Sequence, residues 1–397
     1  MSAESRICFE LERVELERRW RIVRDEMKTR GLDALIVQGA NNRTGVGGYF
    51  SWFTGTSAPG ANPQTIIFPR EGDMTVVRHG AFGETRSLNP QDSGSRGIGR
   101  LRGTPTFPSV HYTLEYDADI VGEELGRGGY RSIGWVAPAS MYFGFAAVLR
   151  QRSGSAIVDF TDCVDEIKAV KSEIEIGLLR STARMQDEIL EEIKCLITPG
   201  RRDSEVMADA ARIGELKGSQ TGVFLGSSLS PEDLGVPVRY RPDQGRTIRD
   251  GDVFFMLVEN SGPGGMYTHI SRYFTLGKPP QALVDLTDSV MEAQKFTLNL
   301  LRPGASSSEV FAAYNAHLRQ LGFDEEARLH AHGQGYDLVE RPLIRSDETM
   351  LLAEGMNIGV HSGLRSGRAW ATTCDNYLLT RNGVERLHRY PQEIVEL

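Results

Sequence analysis

The chain has 397 residues, 40% of them hydrophobic and 25% charged, and a net charge of −8 at pH 7. The length predicts two domains, and the acidic balance, without a long Lys/Arg run, argues against nucleic acid or anionic membrane as a partner. Because no apolar run reaches the roughly 18 residues that span a bilayer and the charged N-terminus lacks a signal-peptide core, we expect a cytoplasmic protein.

The first part of the chain predicts a mixed α/β domain covering residues 1–165. Residues 12–30 alternate charged and apolar side chains at helical spacing and predict an amphipathic helix. Short apolar runs bounded by Gly and Pro then predict strands, at residues 32–39, 63–69, 73–80 and 130–136. The four cysteines (Cys8, Cys163, Cys195 and Cys374) are scattered and form no CxxC pair, so we expect no disulfide framework.

From residue 166 onward the pattern predicts long helices. Residues 171–197 form one amphipathic pattern that stops at Pro199-Gly200, and residues 281–301 form a second that stops at Pro303-Gly304. Each stop is followed after four residues by Glu-Val and another helical stretch, and Ser306 has capping-box spacing to Glu309. Strand-like runs follow each helix pair, at residues 253–259, 356–361 and 375–380.

These stops are either two unrelated helix ends or an internal duplication. We favour a duplication in which two halves, each a helix pair plus strands, are related by a pseudo-twofold within residues 166–397. A cleft between such halves is a candidate binding site. The sequence Gly-Pro-Gly-Gly at residues 262–265 predicts a hairpin turn.

Several motifs of the second half occur in a fixed order. They are KSEIEIGLLR (171–180), RDGDV (249–253), GGMYTHISRYF (264–274), HGQGYDLVERP (332–342), EGMNIGVHSG (354–363) and TTCDNYLLTRNGVERL (372–387). In this order they resemble the KSxxEIxxLR, GD-strand-GYxSDITRTF, HxxGxDxHExP, PGMVxTxEPG and RxEDxxLxTxxGxExL motifs of the creatinase and proline-peptidase family, M24. GVGGYFSWFTG (45–55) is similar to the family's YxTGFxG segment. The resemblance implies an α/β fold: a creatinase-like N-terminal domain and a C-terminal pita-bread domain.

Active peptidases of this family bind two metal ions with two Asp, one His and two Glu. Alignment of the motifs implies that His332 is the one ligand retained here. His269 stands where the second Asp is expected, His361 where the first Glu is expected, and Cys374, beside Asp375, where the second Glu is expected. Without these carboxylates two closely spaced divalent ions would lack compensating charge, which argues against a dinuclear Xaa-Pro dipeptidase.

The first Asp position is ambiguous because this segment is one residue longer than the family pattern. Leu257, Val258 and Glu259 are the candidates, and Glu259 shares the strand parity of Leu257, so it can face the cleft. The family's second His is replaced by Val339, and the His before the GD strand aligns near Arg239.

The first hypothesis is a metal-free hydrolase similar to creatinase and ectoine hydrolase, which cleave C–N bonds in small polar molecules. His332 would take a proton and return it to the leaving nitrogen. Glu259 or Asp375 would orient the imidazole or bind a cationic substrate, and Arg239 and Arg341 would hold a carboxylate. We predict this function, with an amide, guanidino or cyclic amidine as the substrate.

The second hypothesis is a single transition-metal enzyme. His269, His332 and His361 would be ligands, with Cys374 or Glu259 as a fourth, for Zn, Fe, Cu, Mn or Ni. Such a centre would support water activation, lyase chemistry or oxygen chemistry. A third hypothesis is a non-catalytic binding module. Cys374 is a candidate catalytic thiol or, alternatively, a buried small residue.

The resemblance also implies a homodimer in which a neighbouring N-terminal domain helps to close the cleft over a small-molecule substrate. Aromatic residues of the 45–55 segment, such as Phe53, are candidates for substrate contact, and packing in the N-terminal core is the alternative. We expect Arg272 to be a structural ion-pair partner.

Overall fold

A computed structural model describes residues 11–39, 48–56, 58, 62–153 and 157–397. Cys8 and residues 45–47 of the predicted aromatic motif lie outside the described residues. The chain divides into a first compact unit that ends at Lys168 and a second that runs from Ala169 to Leu397, close to the division expected after residue 165. In the described part of the chain, no helix is long and apolar enough to cross a membrane.

The first unit is a mixed α/β structure built on one seven-stranded sheet. Its elements are α1 (Arg13–Thr29), β1 (Ala34–Gly39), α2 (Gly48–Thr54), β2 (Gln64–Pro69), β3 (Met74–His79), β4 (Thr85–Ser87), β5 (Ile98–Thr104), α3 (Glu115–Gly128), β6 (Ile133–Val136), α4 (Phe143–Ser153), β7 (Val158–Asp159) and α5 (Thr161–Ala169). The strand order is β4-β5-β3-β2-β1-β6-β7. All the predicted strands of this part are present.

The predicted first helix packs through one apolar face. Leu16, Trp20, Val23 and Met27 recur at helical spacing and are buried, as expected for an amphipathic helix. The indole Nε1 of Trp20 donates a hydrogen bond of 2.7 Å to the carbonyl oxygen of Phe53, so α1 also fixes the short helix α2.

The second unit contains helix pairs and antiparallel sheets. Its elements are α6 (Glu173–Ile193), α7 (Asp203–Leu216), β8 (Gly222–Leu229), β9 (Val253–Ser261), β10 (Tyr267–Thr275), α8 (Gln281–Leu300), α9 (Ser307–Gln320), β11 (Ala331–Gly333), β12 (Glu340–Leu343), β13 (Asn357–Val360), β14 (Gly363–Ser366), β15 (Ala369–Thr372), β16 (Asp375–Thr380), β17 (Gly383–Arg386) and β18 (Val395–Glu396). Its sheets have the orders β18-β10-β9-β8, β12-β11-β13-β16-β17 and β14-β15.

The helix starts follow their capping residues. Ser172 and Glu175 form a reciprocal capping box at the start of α6, and the Ser306 hydroxyl accepts a hydrogen bond from the Glu309 amide at the start of α9. The predicted end of the first long helix, at residue 197, is four residues too late, whereas the predicted end of the second lies one residue after Leu300. A 3₁₀ turn at Lys194–Leu196 follows α6 before the Pro-Gly stop, because a tighter turn often satisfies the last carbonyls of a helix.

The predicted duplication is confirmed by a repeated set of backbone contacts. In the first half the contacts are Gly200–Ile248 and Arg202–Thr247, and in the second half they are Gly304–Leu352 and Ser306–Leu351. Each residue of the second half lies 104 positions after its counterpart in the first. The first half comprises α6 to β10, and the second comprises α8 to β17. The halves join where Ser271 pairs with Cys374 in an antiparallel bridge. The Gly-Pro-Gly-Gly segment connects β9 to β10, as predicted.

Candidate functional site

Each half of the second unit supplies two side chains to one cluster. Glu259 on β9 and His269 on β10 are direct partners in the antiparallel ladder of the first half. His332 lies on β11 and His361 directly follows β13, and these two strands pair in the second half. The sequence predicted this grouping as a set of replaced ligand positions, and the structure brings all four side chains together.

The cluster is compact. One ligand-capable atom each from Glu259, His269 and His332 lies within 4.8 Å of the others, and the Glu259 Oε1 to His269 Nδ1 distance is 3.4 Å. The ring centroid of His332 is 5.5 Å from that of His269 and 5.1 Å from that of His361. All but His361 are buried. Across the described ranges, this is the one group of three or more acidic, His or Cys side chains close enough to share an ion.

His332 has a defined tautomer. Its Nδ1 lies 2.9 Å from the carbonyl oxygen of Gly333, which can only accept a hydrogen bond, so Nδ1 carries the proton and Nε2 carries the lone pair. Burial, followed by the neighbouring His269, lowers the pKa of His332 to about 4, although Glu259 acts in the opposite direction. The imidazole is therefore neutral at neutral pH.

His269 has one ring nitrogen without a partner. Its Nδ1 lies 3.4 Å from Glu259 Oε1 and from Gln334 Nε2, whereas its buried Nε2 has no hydrogen-bond partner among the residues that the structure describes. A neutral imidazole has one donor nitrogen and one acceptor nitrogen, so either tautomer leaves a buried polar atom of His269 unsatisfied. A water molecule or a polar substrate group at this position would satisfy it.

His361 differs from the other three members of the cluster in its exposure. It is partly exposed, whereas the other three side chains are buried. Burial, followed by the nearby His332 and His269, holds its pKa well below the usual value. Its backbone amide donates a hydrogen bond of 2.9 Å to the carbonyl oxygen of His330, which fixes the chain after β13.

A network of buried side-chain amides is hydrogen-bonded to the cluster, and the sequence did not predict it. Gln334 Nε2 donates to Glu259 Oε1 at 2.9 Å, and Gln334 Oε1 accepts from Asn376 Nδ2 at 2.8 Å. Asn376 Oδ1 accepts from the His269 backbone amide at 2.7 Å. Gln334 and Asn376 both lie inside matched motifs, but at positions where the motif accepts any residue. Their residue types therefore did not indicate a role in the site.

Asp375 is not available for the catalytic role predicted for it. Burial alone would raise its pKa, but Arg272, His388 and Arg386 together bring the pKa below its ordinary value. Arg272 Nη2 and Arg386 Nη2 lie 3.0 and 2.9 Å from Asp375 Oδ1. This carboxylate is thus a permanently ionised structural anchor, and Arg272 is the ion-pair partner that was expected.

Cys374 does not fit the predicted role of nucleophile. Burial raises the pKa of its thiol to about 12, and the Ser271 hydroxyl only partly offsets this effect. A thiolate is the reactive species, so the thiol is inert near neutral pH. Cys374 also lies outside the group of atoms that Glu259, His269 and His332 form. The alternative of a buried small residue describes it better.

The predicted carboxylate clamp is not formed by Arg341. Its Nε lies 3.1 Å from Glu348 Oε2, and Glu348 also accepts hydrogen bonds from the amides of Leu343 and Met350. Arg341 therefore stabilises the segment after β12. Arg239 is exposed, and in the described part of the chain no hydrogen bond or ion pair joins its guanidinium to the four site groups.

The exposure and packing of three further residues can be compared with the predictions made for them. Phe53 is 0% exposed and packs edge-on against Phe68 at 5.1 Å, so it belongs to the first unit's core and the structure does not support substrate contact. Val258 packs into an apolar cluster on the other face of β9, which leaves Glu259 as the acidic group of the site. Val339 is 47% exposed.

The donor set does not fit a dinuclear centre. The resemblance implies four carboxylates and one imidazole for two ions, but Glu259 is the single carboxylate in the cluster, and Asp375 is held by two arginines. Two adjacent divalent ions would face a single compensating charge in a buried site. The Glu259 carboxylate, the lone pair of His332 and a ring nitrogen of His269 lie close enough together to fit one ion.

Comparison with known proteins gives a consistent family assignment. Residues 177–381 match the sequence profile of Metallopeptidase family M24. The chain is 24% identical over 237 residues to probable dipeptidase PepE of Mycobacterium tuberculosis, covering 59% of this chain and 62% of that protein. It is 22% identical over 408 residues to ectoine hydrolase of Halomonas elongata, covering 95% of this chain and 96% of that one.

The fold is also found among solved structures. The crystal structure of dipeptidase PepE from Mycobacterium ulcerans superposes with a TM-score of 0.75 at 20% identity, covering 98% of this chain and 99% of that chain. This similarity concerns the fold, since the site groups differ from the ligand set that the motifs predict for an active dinuclear peptidase.

Proposed function

The chain belongs to metallopeptidase family M24, whose members are hydrolases, and we propose that it hydrolyses a C–N bond in a small polar molecule rather than in a dipeptide. The main support for this proposal is the composition of the cluster, which has one carboxylate, Glu259, among three imidazoles. A dinuclear peptidase mechanism requires bridging carboxylates that this site lacks.

Similarity to ectoine hydrolase supports the choice of substrate class. That alignment extends over nearly the whole of both chains, whereas the alignment with the mycobacterial dipeptidase covers 62% of the latter. We therefore expect amide, guanidino or cyclic amidine compounds as substrates. The partly exposed His361 supports entry of a small molecule from its side of the cluster.

The chemistry follows from the protonation states. In hydrolysis, water loses a proton as its oxygen bonds to carbon, and the leaving nitrogen gains a proton as the C–N bond breaks. The Glu259 carboxylate and the His332 Nε2 lone pair are the two groups suited to take the proton. Because its pKa is about 4, a protonated His332 is a stronger acid than an ordinary imidazolium and would readily deliver the proton to nitrogen. The Glu259 charge stabilises that imidazolium while it exists.

The proposal is tested with a panel of amide, guanidino and cyclic amidine compounds, with product formation followed by mass spectrometry. An Xaa-Pro dipeptide serves as the comparison substrate. We expect turnover of a member of the panel and none of the dipeptide.

His332→Ala should abolish that turnover with the fold retained by circular dichroism, because it removes the lone pair at the centre. His111→Ala is the matched control, since His111 is exposed and lies in the first unit. Efficient cleavage of the dipeptide, or full activity of His332→Ala, would contradict the proposal.

A further inference from the structure

We infer that Glu259, His269 and His332 bind a single divalent transition-metal ion, in place of the dinuclear centre expected for this family. The inference rests on the proposed function for the role of the ion, which is to activate the attacking water in place of the His332 Nε2 lone pair, but not for its binding. Each donor is buried, and together they are the one such group in the part of the chain that the structure describes.

The spacing of the donors suits one ion. Ligand atoms about 2.1 Å from zinc in tetrahedral geometry lie about 3.4 Å from one another. Glu259 Oε1 and His269 Nδ1 are 3.4 Å apart, and a His332 ligand atom lies within 4.8 Å of both donors. A small inward movement of the His332 ring would complete a three-donor set.

The surroundings of the donors resemble those of metal ligands. An imidazole that binds a metal normally donates its other N–H to a carbonyl or carboxylate, which fixes the ring and directs the remaining lone pair. His332 does this through Nδ1 to the carbonyl of Gly333. Ligating carboxylates are likewise held by outer hydrogen bonds, and Gln334 Nε2 donates to Glu259 at 2.9 Å.

Charge limits the site to one ion. An imidazole binds a metal ion as a neutral donor, and Glu259 as a ligating carboxylate supplies one negative charge. One divalent ion would leave the donor set with a net charge of about +1, whereas a second would raise it to about +3 in a buried position.

The donor types indicate the class of metal. Two imidazoles and one carboxylate, with an open position, are typical of catalytic zinc in hydrolases and of non-haem ferrous iron, whereas Mg²⁺ and Ca²⁺ prefer oxygen ligands. When bound, such an ion would supply Lewis-acid activation of water. His361 lies outside the compact donor group on the more exposed side, where the open position would face substrate.

The test uses the full chain purified without an affinity tag, because a His tag would itself bind metal. Elemental mass spectrometry gives the metal content as purified. Protein freed of metal by a chelator is then titrated with Zn²⁺ by calorimetry and with Co²⁺ by visible absorption, which reports the coordination geometry independently of activity. We expect one ion per chain and a tetrahedral or five-coordinate cobalt spectrum.

Variants separate ligands from neighbours. Glu259→Gln and His269→Ala should weaken Zn²⁺ binding by about 100-fold or more, because each removes a ligand. Cys374→Ser is the matched control, since this buried neighbour is outside the donor group, and it should retain one ion. Zn²⁺ should raise the melting temperature of the wild type and of Cys374→Ser but not that of Glu259→Gln, provided that circular dichroism shows each to be folded.

The outcomes are distinguishable. Two ions per chain, or no binding of Zn²⁺ or Co²⁺ at micromolar concentrations, would overturn the inference. Full C–N hydrolysis by metal-free protein would overturn the role inferred for the ion and leave the proposed function standing with His332 as the proton carrier. One bound ion without hydrolysis of any compound in the panel would support the metal site and contradict the proposed function.

Discussion

His269 lies against the backbone of Gly359, which leaves no room for a side chain. A Cβ atom built on Gly359 would lie 2.7 Å from both Cε1 and Nε2 of the His269 ring, and real Cβ contacts are essentially never this short. Gly359 is on β13, in the middle of the sheet that carries His332, so its backbone has little freedom to move away. The imidazole would have to move instead.

We therefore predict that Gly359→Ala displaces His269 and lowers the rate of substrate turnover at least tenfold. Unfolding free energy should fall by about 1–3 kcal/mol, as for other overpacked buried sites. The measurements are steady-state kinetics and urea denaturation.

Gly177→Ala is the control, because this glycine lies in α6 with open space around its Cβ position. The control should keep full activity and gain up to about 1 kcal/mol from helix propensity. Equal loss of activity in both variants would show that the effect is not specific to His269.

At this scale, the sequence predicted residue types better than residue roles. It identified Glu259 because strand parity is a local property that two-residue alternation preserves. It misassigned Arg341 and Asp375 because a guanidinium or carboxylate in a motif looks the same whether its partner is a substrate or a distant side chain. The partners, Glu348 and Arg272, are fixed only by folding.

The start of α6 is tied to β12 by a buried ion pair. Lys171, which precedes the helix cap Ser172, places its Nζ 2.9 Å from Glu340 Oε2, and the side chains are 2% and 5% exposed. Glu340 also accepts a hydrogen bond from the Asp337 amide. Charges this deeply buried are costly unless paired, so the pair fixes the position of the helix start.

We predict that Lys171→Met lowers the unfolding free energy by about 3–5 kcal/mol, because a buried carboxylate loses its counter-charge. The double variant Lys171→Met/Glu340→Gln should recover more than half of that loss. Urea denaturation of the two single variants and the double variant gives the coupling energy. Additive losses would show that the two charges do not stabilise each other.

Most elements were predictable, because their signals are local. The strand at residues 253–259 is a nearly continuous apolar run, as expected for a strand buried on both faces. Helix ends were less predictable. The turn at Lys194–Leu196 depends on how the end of α6 is hydrogen-bonded, and the Pro-Gly stop marks only the latest possible end.

His388 links the two halves of the second unit. Its Nε2 lies 2.8 Å from Gln186 Oε1 on α6, and its Nδ1 lies 3.3 Å from the Asn376 amide on β16. An amide N–H can only donate, so Nδ1 accepts and Nε2–H donates, and the ring is neutral. Burial lowers the pKa of His388 to about 3, despite the opposing effect of Asp375.

This linkage makes stability depend on pH. In the unfolded chain His388 takes up a proton as the pH falls below about 6.5, whereas the folded protein does so only near pH 3. The stabilisation is therefore fully present above pH 6.5 and decreases by about 1.4 kcal/mol per pH unit below it. We predict that the difference in unfolding free energy between wild type and His388→Gln shrinks by about 2 kcal/mol from pH 6.5 to pH 5.

Urea denaturation at each pH provides the measurement. His111→Gln is the control, because His111 is exposed, and its difference from wild type should be constant with pH. A constant difference for His388→Gln as well would mean that His388 does not remain neutral in the folded protein.

The duplication was the most informative feature of the sequence at the scale of the whole molecule. The Pro-Gly stops predicted it because they recur with the same spacing to Glu-Val, and the backbone contacts of Gly200 and Gly304 reproduce that spacing. The amide network of Gln334 and Asn376 was not predictable, since it joins side chains from distant segments whose types vary freely in the motifs.

The division of the cluster between two halves also bears on how the protein acquires its reactivity during synthesis. A chain made only as far as β10 carries Glu259 and His269, and it lacks the imidazoles that β11 and the residue after β13 supply. Two donors are too few to form the reactive centre. Activity therefore begins only when the halves have docked, and its return during refolding reports that docking event directly.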